Sequence, residues 1–200
     1  MNIKTLIHDK IIQDISTQGW SFQQNVVDKN DLKLISSLFV ADFTPARIGK
    51  NQNLQRLDDI RGDFIRWIDL HHPLPELAPL LDFLNELKQR LNEHFFLGLK
   101  EFECHLAKYP KGTFYKKHLD RFNSDSSRSI SFVFYLHEEW SEKDGGELVF
   151  YRENGEVLLS LLPQPGSFIC FLSGDFPHEV KVCHNERRSL TGWMHTKIIS

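Results

Sequence analysis

The sequence predicts a mainly β fold with flanking helices (α+β), in which a first half of mixed helix and strand precedes a sandwich or jelly roll of short strands. Three observations predict it. Apolar residues recur at helical spacing up to about residue 96, short apolar stretches between Gly and Pro turns follow, and Asn154-Gly155 separates two of these stretches. An Asn-Gly pair between apolar strands is a strong hairpin signal. Eight short strands at this spacing are typical of a sandwich or jelly roll.

The first half is predicted to mix helix and strand, and three of its segments have a helical pattern. Residues 3–15 place an apolar side chain at every third or fourth position, and residues 31–43 repeat this pattern. Pro75 suits a first helical turn and opens residues 76–96, where leucines mark one face. Residues 44–59 are polar and interrupted by a proline and a glycine, which indicates a long loop or mobile hairpin.

After Gly98 the pattern changes to strands with turn residues between them. The eight strand candidates are residues 102–109, 113–119, 129–136, 147–151, 157–162, 167–172, 178–182 and 187–197. A chain of 200 residues is long enough for one domain with a substantial core. We therefore expect a single domain over residues 1–200, with residues 1–98 as a helix-and-strand support region and residues 99–198 as the β core.

Composition excludes several classes of partner. Lys and Arg total 24 against 27 Asp and Glu, a net charge of −3, so the chain lacks the basic stripe of a nucleic-acid binder. No stretch approaches the roughly 18 apolar residues of a membrane span, and the N-terminus lacks the features of a secretory signal. Three cysteines without a CxxC pair argue against a disulfide framework. We expect no nucleic-acid or membrane partner and a cytoplasmic location.

Two histidines and one aspartate are candidate metal ligands. His118 and Asp120 are two residues apart on a predicted strand, so they project to the same face, and His178 opens a later strand. Two imidazoles and one carboxylate leave three octahedral positions open, as non-haem Fe(II) needs to bind a co-substrate and O₂ together. A structural zinc site would need four protein ligands. The alternative for the bare His-x-Asp tripeptide is a strand with a satisfied surface histidine.

Arg187 strengthens the metal interpretation, because it opens a strand nine residues after the last of these histidines. Ser189, Thr191 and Trp193 share its strand face, and polar groups beside an aromatic suit a pocket better than a core. A guanidinium can hold the distal carboxylate of 2-oxoglutarate with two hydrogen bonds. Arg188 is the competing candidate, although on a regular strand it points to the opposite face.

Several motifs occur in the order typical of one enzyme family. They are Asp59-Ile60-Arg61-Gly62-Asp63, Trp67-Ile68, Tyr109-Pro110, Gly112-Thr113-Phe114-Tyr115, His118-Leu119-Asp120, Phe134-Tyr135-Leu136, Gly145-Gly146-Glu147-Leu148, Pro177-His178-Glu179-Val180 and Arg187 to Trp193. Over about residues 30 to 197 the chain resembles the prolyl hydroxylase domain (EGL-nine-like) family of 2-oxoglutarate/Fe(II) oxygenases, as a bacterial-type single-domain member. The resemblance implies a double-stranded β-helix (jelly roll) with the N-terminal helices packed on one sheet.

The resemblance also implies roles for individual residues. The implied iron ligands are His118, Asp120 and His178, and Fe(II) would act with 2-oxoglutarate and O₂ as co-substrates and ascorbate as a candidate reductant. The implied contacts to 2-oxoglutarate are Arg187 at its C5 carboxylate, Tyr135 beside it, Tyr109 near the metal-chelating end, and Thr191. The implied pocket or substrate residues are Tyr115, Trp193 and Arg188. A salt bridge between Asp63 and Arg128 is implied to anchor the loop after Thr44, which would close over a bound peptide.

The resemblance implies a dioxygenase that hydroxylates a prolyl residue in a protein or peptide and releases succinate and CO₂. Two alternatives stay open. The same site could oxidise another residue or a small molecule, or the chain could be a non-catalytic binding domain on the same scaffold. The histidines outside the triad have simpler interpretations, and His105 is expected on a strand surface.

Overall fold

The structure, a computed structural model, describes residues 3–40, 42–47, 59–121 and 127–198. The helices are α1 (Ile3–Gln18), α2 (Lys29–Ser36) and α3 (Ala78–Phe95), and 3₁₀ turns cover Ser37–Phe39, Pro75–Leu77 and Glu142–Asp144. The strands are β1 (Trp20–Gln23), β2 (Thr44–Pro45), β3 (Phe64–Trp67), β4 (Glu101–Tyr109), β5 (Tyr115–His118), β6 (Arg128–Tyr135), β7 (Leu148–Tyr151), β8 (Val157–Leu161), β9 (Phe168–Leu172), β10 (His178–Val180) and β11 (Arg187–His195). None of the described helices is long and apolar enough to cross a bilayer.

The strands form two antiparallel sheets. The larger sheet has the order β1-β9-β6-β11-β4-β3-β2, and the smaller one has the order β5-β10-β7-β8. All eight predicted strands are present, and their ends agree with the prediction within two residues. The mainly β architecture with flanking helices and the jelly-roll arrangement are thereby confirmed.

Residues of β6 alternate between two separate cores, as the two-residue period of a strand requires. Phe132 and Phe134 belong to a core shared with the helices. Val133 and Tyr135 belong to a second core between the two sheets. Because Ile11 of α1 and the apolar face of α3 share the first core, the helices cover the outer face of the larger sheet, which confirms their predicted position. The inner face is left for a site between the sheets.

Strand β11 occupies the centre of the larger sheet. It pairs with β4 from Arg187 to His195 and with β6 from Ser189 to His195. Gly192 lies where three strands meet, and a Cβ added there would be 2.1 Å from the Glu103 carbonyl oxygen and 2.5 Å from the Phe132 ring. Only glycine permits this close approach.

Four short elements differ from the sequence expectation. The helix predicted over residues 31–43 is α2, which Asp28 caps by accepting from the N–H groups of Asn30 and Asp31, and a 3₁₀ turn follows it from Ser37. Strands β1 and β3 lie in the half expected to mix helix and strand, but their positions were not predicted, because four residues are too few to show an alternation. The predicted loop over residues 44–59 begins with β2, which pairs with β3, and residues 48–58 lie outside the described ranges.

Candidate metal centre and its pocket

His118 and His178 meet across a strand pair of the smaller sheet. His118 is the last residue of β5, His178 is the first residue of β10, and the two are register partners in this antiparallel pair. Residues directly opposite each other have neighbouring side chains, and the two imidazole centroids lie 4.4 Å apart. Strand register therefore places two of the predicted ligands side by side.

Asp120 completes a group of three donors. Strand β5 ends at His118, so Asp120 lies in the bend that follows and not on the strand where it was predicted. The bend still turns its carboxylate toward the histidines, since one donor atom from each of the three residues lies within 4.8 Å of the others. The predicted triad is brought together, although strand alternation is not what aligns the aspartate.

Backbone carbonyls orient both imidazoles. The Nδ1 atom of His118 lies 2.8 Å from the Lys116 carbonyl oxygen, and that of His178 lies 2.9 Å from the Phe176 carbonyl oxygen. A carbonyl only accepts, so each Nδ1 donates, and Nε2 of the neutral ring keeps its lone pair. These Nε2 atoms are the ones that lie near Asp120, at 3.5 Å and 3.8 Å from its oxygens.

The charge state of the triad suits a divalent metal. Burial lowers the pKa of His178 to about 4, so its ring is neutral at physiological pH. Burial alone would raise the pKa of Asp120, but His178, His118 and a hydrogen bond from Ser131 hold it well below its usual range. One carboxylate and two imidazoles whose Nε2 atoms converge form a donor set that fits Fe(II).

The triad opens onto a cavity of about 220 Å³ between the two sheets. Arg187, the first residue of β11, is 2% exposed and lines this cavity. Its guanidinium carbon lies 4.9 Å from the Tyr135 ring centroid and 5.1 Å from the Tyr109 ring centroid. Arg187 therefore stands between two tyrosines on the inner face of the larger sheet.

The charge of Arg187 is not balanced by a carboxylate in the described part of the chain. Its Nε atom is buried without a hydrogen-bond partner, and the uncharged Tyr135 hydroxyl interacts with the guanidinium. A buried cation is costly unless it is paired, and buried polar atoms are normally satisfied. The guanidinium of Arg187, which lines the cavity, therefore fits an anionic ligand such as a carboxylate of the co-substrate.

Arg188 points away from the pocket. It forms an ion pair with Glu186, with 2.8 Å between Nη2 and Oε1, and its guanidinium lies 5.4 Å from the Phe39 ring centroid on the helical side. It is absent from the cavity lining. The prediction of Arg188 as a pocket residue is wrong, because the strand is regular here and successive side chains face opposite sides.

Four other predicted residues line the cavity: Tyr109, Tyr115, Thr191 and Trp193. Tyr115 stacks on the His118 ring with 3.7 Å between centroids, so it supports a metal ligand directly. Tyr135 is fully buried against Arg187 and lies outside the cavity lining. The roles of these residues toward 2-oxoglutarate or substrate stay predictions.

The predicted salt bridge between Asp63 and Arg128 is not formed. Arg61 donates to both oxygens of Asp63, at 2.7 Å and 2.6 Å. Arg128 pairs with Glu103 at 2.8 Å, and its guanidinium lies 3.7 Å from the Trp193 ring centroid. Arg61 is only two residues from Asp63 and reaches it with two nitrogens, which leaves Arg128 to pair elsewhere.

His105 is a pocket residue that the sequence interpretation placed on a strand surface. It is 3% exposed and lines the cavity, and its ring lies between those of Trp67 and Trp193 at centroid distances of 4.8 Å and 5.5 Å. Strand alternation counted back from Tyr109 would have placed it on the pocket face. On β6, the same alternation places Ser131 on the strand face of Tyr135, and Ser131 also lines the cavity.

We expect the metal-free protein to lose stability as the pH falls from about 6.5 toward 4. Burial lowers the pKa values of His105, His137 and His178 from 6.5 to about 4. Between these values the unfolded chain binds protons that the folded chain does not, so protonation favours unfolding. Urea unfolding at pH 7, 6 and 5 measures this, and a His105→Phe variant should show a shallower dependence. Equal free energies of unfolding at pH 7 and pH 5 would contradict it.

Comparisons with known proteins agree with this geometry. The model of the 2OG-Fe(II) oxygenase superfamily matches residues 104–195. A prolyl-4-hydroxylase from Pseudomonas putida is 35% identical, with a TM-score of 0.83, over 96% of this chain and 100% of that chain. A prolyl hydroxylase from Trichoplax adhaerens, solved with a hypoxia inducible factor peptide fragment, has a TM-score of 0.84 at 24% identity, over 96% of this chain and 90% of that one.

Curated relatives are similar over part of their length. Egl nine homolog 1 from Rattus norvegicus is 31% identical over 143 residues, which are 68% of this chain and 41% of that protein. The Homo sapiens protein of the same name is equally similar, over 33% of its length. The chain thus spans less than half the length of these relatives.

Proposed function

Since the chain belongs to the 2OG-Fe(II) oxygenase superfamily, as a prolyl hydroxylase-like member, we propose that it hydroxylates a prolyl residue in a protein or peptide substrate. Succinate and CO₂ would be the products formed from 2-oxoglutarate. The observation that carries this proposal is the presence, in one cavity, of a three-donor metal group and a buried arginine whose charge no described carboxylate balances. The similarity to a prolyl-4-hydroxylase from Pseudomonas putida supports the prolyl substrate.

His118, Asp120 and His178 are the residues that would hold Fe(II), which with O₂ and 2-oxoglutarate supplies the oxidation of an unactivated C–H bond. The protein contributes position and charge. The carbonyl oxygens of Lys116 and Phe176 fix both imidazoles. The ring of Tyr115 stacks on His118 and limits its rotation.

Arg187 would bind the distal carboxylate of 2-oxoglutarate. Its burial removes competition from water, and in a low-dielectric site an ion pair of this kind is stronger than at the surface. Tyr109 and Thr191 line the same cavity and can donate hydrogen bonds to other oxygens of the co-substrate. Arg187 would thus act as the charged anchor, with Tyr109 and Thr191 as neutral donors beside it.

The aromatic wall of the cavity suits a prolyl side chain. Trp67 lines the cavity while half of its side chain is exposed, so it lies at the entrance. Trp193 lies further along the same wall, with 6.5 Å between the two ring centroids. A saturated pyrrolidine ring buries apolar surface against such aromatic faces. This wall supports a proline-containing substrate over a charged one.

A peptide panel tests the proposal. Each proline-containing peptide is paired with the same peptide in which proline is replaced by alanine, and both are incubated with the enzyme, Fe(II), 2-oxoglutarate and ascorbate. We expect succinate formation and the gain of one oxygen atom on prolyl residues only, located by tandem mass spectrometry. Oxygen found only on other residues would favour the alternative substrate classes. No succinate above background with any peptide would favour a binding domain.

The cellular location is also a proposal. Cys104, Cys170 and Cys183 are free and buried, and free cysteines are common in a reducing compartment. This supports the cytoplasm. Fractionation of cells that produce the tagged full chain would test it.

A further inference from the structure

Asp120 is held in place by residues from the opposite sheet. It follows the end of β5 in the smaller sheet, so no ladder of backbone hydrogen bonds fixes its direction. The hydroxyl of Ser131, on β6 of the larger sheet, lies 2.7 Å from Asp120 Oδ2. The next residue, Arg121, donates its N–H to the carbonyl oxygen of Ser173 at 3.3 Å. One tether comes from β6 of the larger sheet and the other from the turn that follows its strand β9.

Ser131 and Ser173 form a short chain of hydroxyl groups that ends on Asp120. Their Oγ atoms lie 2.8 Å apart, and both residues are buried. An ionised carboxylate can only accept, so the single proton of Ser131 is donated to Asp120. Ser131 therefore accepts the proton of Ser173. The direction of both hydrogen bonds is fixed by the charge of the aspartate.

These contacts occupy one side of the carboxylate. Oδ2, which accepts from Ser131, lies 3.8 Å from Nε2 of His178, while Oδ1 lies 3.5 Å from Nε2 of His118. A hydrogen bond to one carboxylate oxygen reduces the rotation of the whole group and leaves the other oxygen free to coordinate. The geometry thus distinguishes the two oxygens before any metal binds.

We propose that Ser131 is a positioning residue, which holds Asp120 as a ligand through one oxygen, and that Ser173 orients Ser131. This rests on the proposed Fe(II) site and deepens it. Outer-shell hydrogen bonds of this kind typically change metal affinity by about 10- to 100-fold when they are removed.

The chain contains a matched control for a buried serine that donates to a buried aspartate. Ser21 donates to Asp14 Oδ2 at 2.8 Å and is fully buried. Asp14 lies on α1, outside the residues that line the cavity. Loss of the Ser21 hydroxyl removes a similar hydrogen bond without touching the triad. The pair Ser131→Ala and Ser21→Ala therefore separates a metal effect from a general loss of stability.

The experiment is a titration of the metal-free full chain with Mn(II), in which electron paramagnetic resonance measures the free ion. We expect Ser131→Ala to raise the Kd for Mn(II) by about 10- to 100-fold. Ser173→Ala should cause a smaller increase, because its hydroxyl acts through Ser131. Ser131→Thr keeps the hydroxyl and should restore a Kd close to that of the wild type. Ser21→Ala should leave the Kd unchanged, and thermal unfolding verifies that each variant is folded.

Three results would overturn the proposal. A folded Ser131→Ala protein with the wild-type Kd would show that the hydroxyl does not position the ligand. An equal rise in Kd for Ser21→Ala would assign the effect to stability. A folded Ser131→Thr protein as weak as Ser131→Ala would show that the hydroxyl is not what matters. A wild-type chain that bound no Mn(II) would instead contradict the metal site itself, so the two failures are distinguishable.

Discussion

Replacement of Asp120 by alanine is expected to abolish metal binding and 2-oxoglutarate-dependent succinate release. The variant keeps the two imidazoles and loses the carboxylate of the triad. Loss of a direct ligand should raise the Kd for the metal by more than the roughly 100-fold that loss of an outer-shell partner can cause. Succinate assays with Fe(II) and the Mn(II) titration measure the two effects separately.

Asp9→Ala is the control for this substitution. Asp9 lies on α1 and pairs with Arg90 of α3 on the helical side of the protein. It should keep the wild-type metal affinity and succinate release. A folded Asp120→Ala protein that turns over at the wild-type rate would contradict the assigned triad.

Replacement of Arg187 by methionine is expected to cause the second large effect, a loss of 2-oxoglutarate affinity with metal binding intact. Truncation of one partner of a buried, hydrogen-bonded charge pair costs about 2 to 5 kcal/mol, which corresponds to about a 30- to 5,000-fold rise in Kd. The ligand-free variant should be at least as stable as the wild type, because it no longer buries an unpaired cation. Calorimetric titration with 2-oxoglutarate and thermal unfolding measure the two quantities.

The neighbouring arginine provides a matched control. Arg188→Met removes the same type of side chain one position along the strand, where it pairs with Glu186 outside the cavity. Its affinity for 2-oxoglutarate should equal that of the wild type. Arg187→Lys should restore part of the affinity, since lysine keeps the charge without the two-nitrogen geometry. The reverse order, with Arg188→Met the weaker binder, would exclude Arg187 as the anchor.

Much of the fold could be predicted because its strands are regular. The two-residue alternation predicted β4 to β11 and separated Arg187 from Arg188 correctly. The short strands β1 and β3 could not be predicted, since four residues carry too little periodicity. Their place in the sheet depends on pairing with β9 and β4, which are distant in sequence.

The candidate metal ligands could be predicted from the sequence, whereas the residues that surround them could be predicted only in part. His118 and His178 follow from spacing and are confirmed as neighbours by strand register. The partner of Arg128 could not be predicted, because two carboxylates and two arginines meet near the pocket and small differences in distance decide which pairs form. His105 was wrongly predicted to lie on the surface, because the alternation of side chains along its strand was not counted from Tyr109.

The central position of β11 has a consequence for biosynthesis. The strands on its two sides, β4 and β6, are made much earlier in translation, and until β11 arrives each exposes an unpaired edge that can pair wrongly. Pairing between segments far apart in sequence is also slow. The same late strand brings Arg187 into the cavity. On the proposed role of Arg187, a nascent chain without β11 would lack the anchor for 2-oxoglutarate, and the ligand would stabilise only the finished fold.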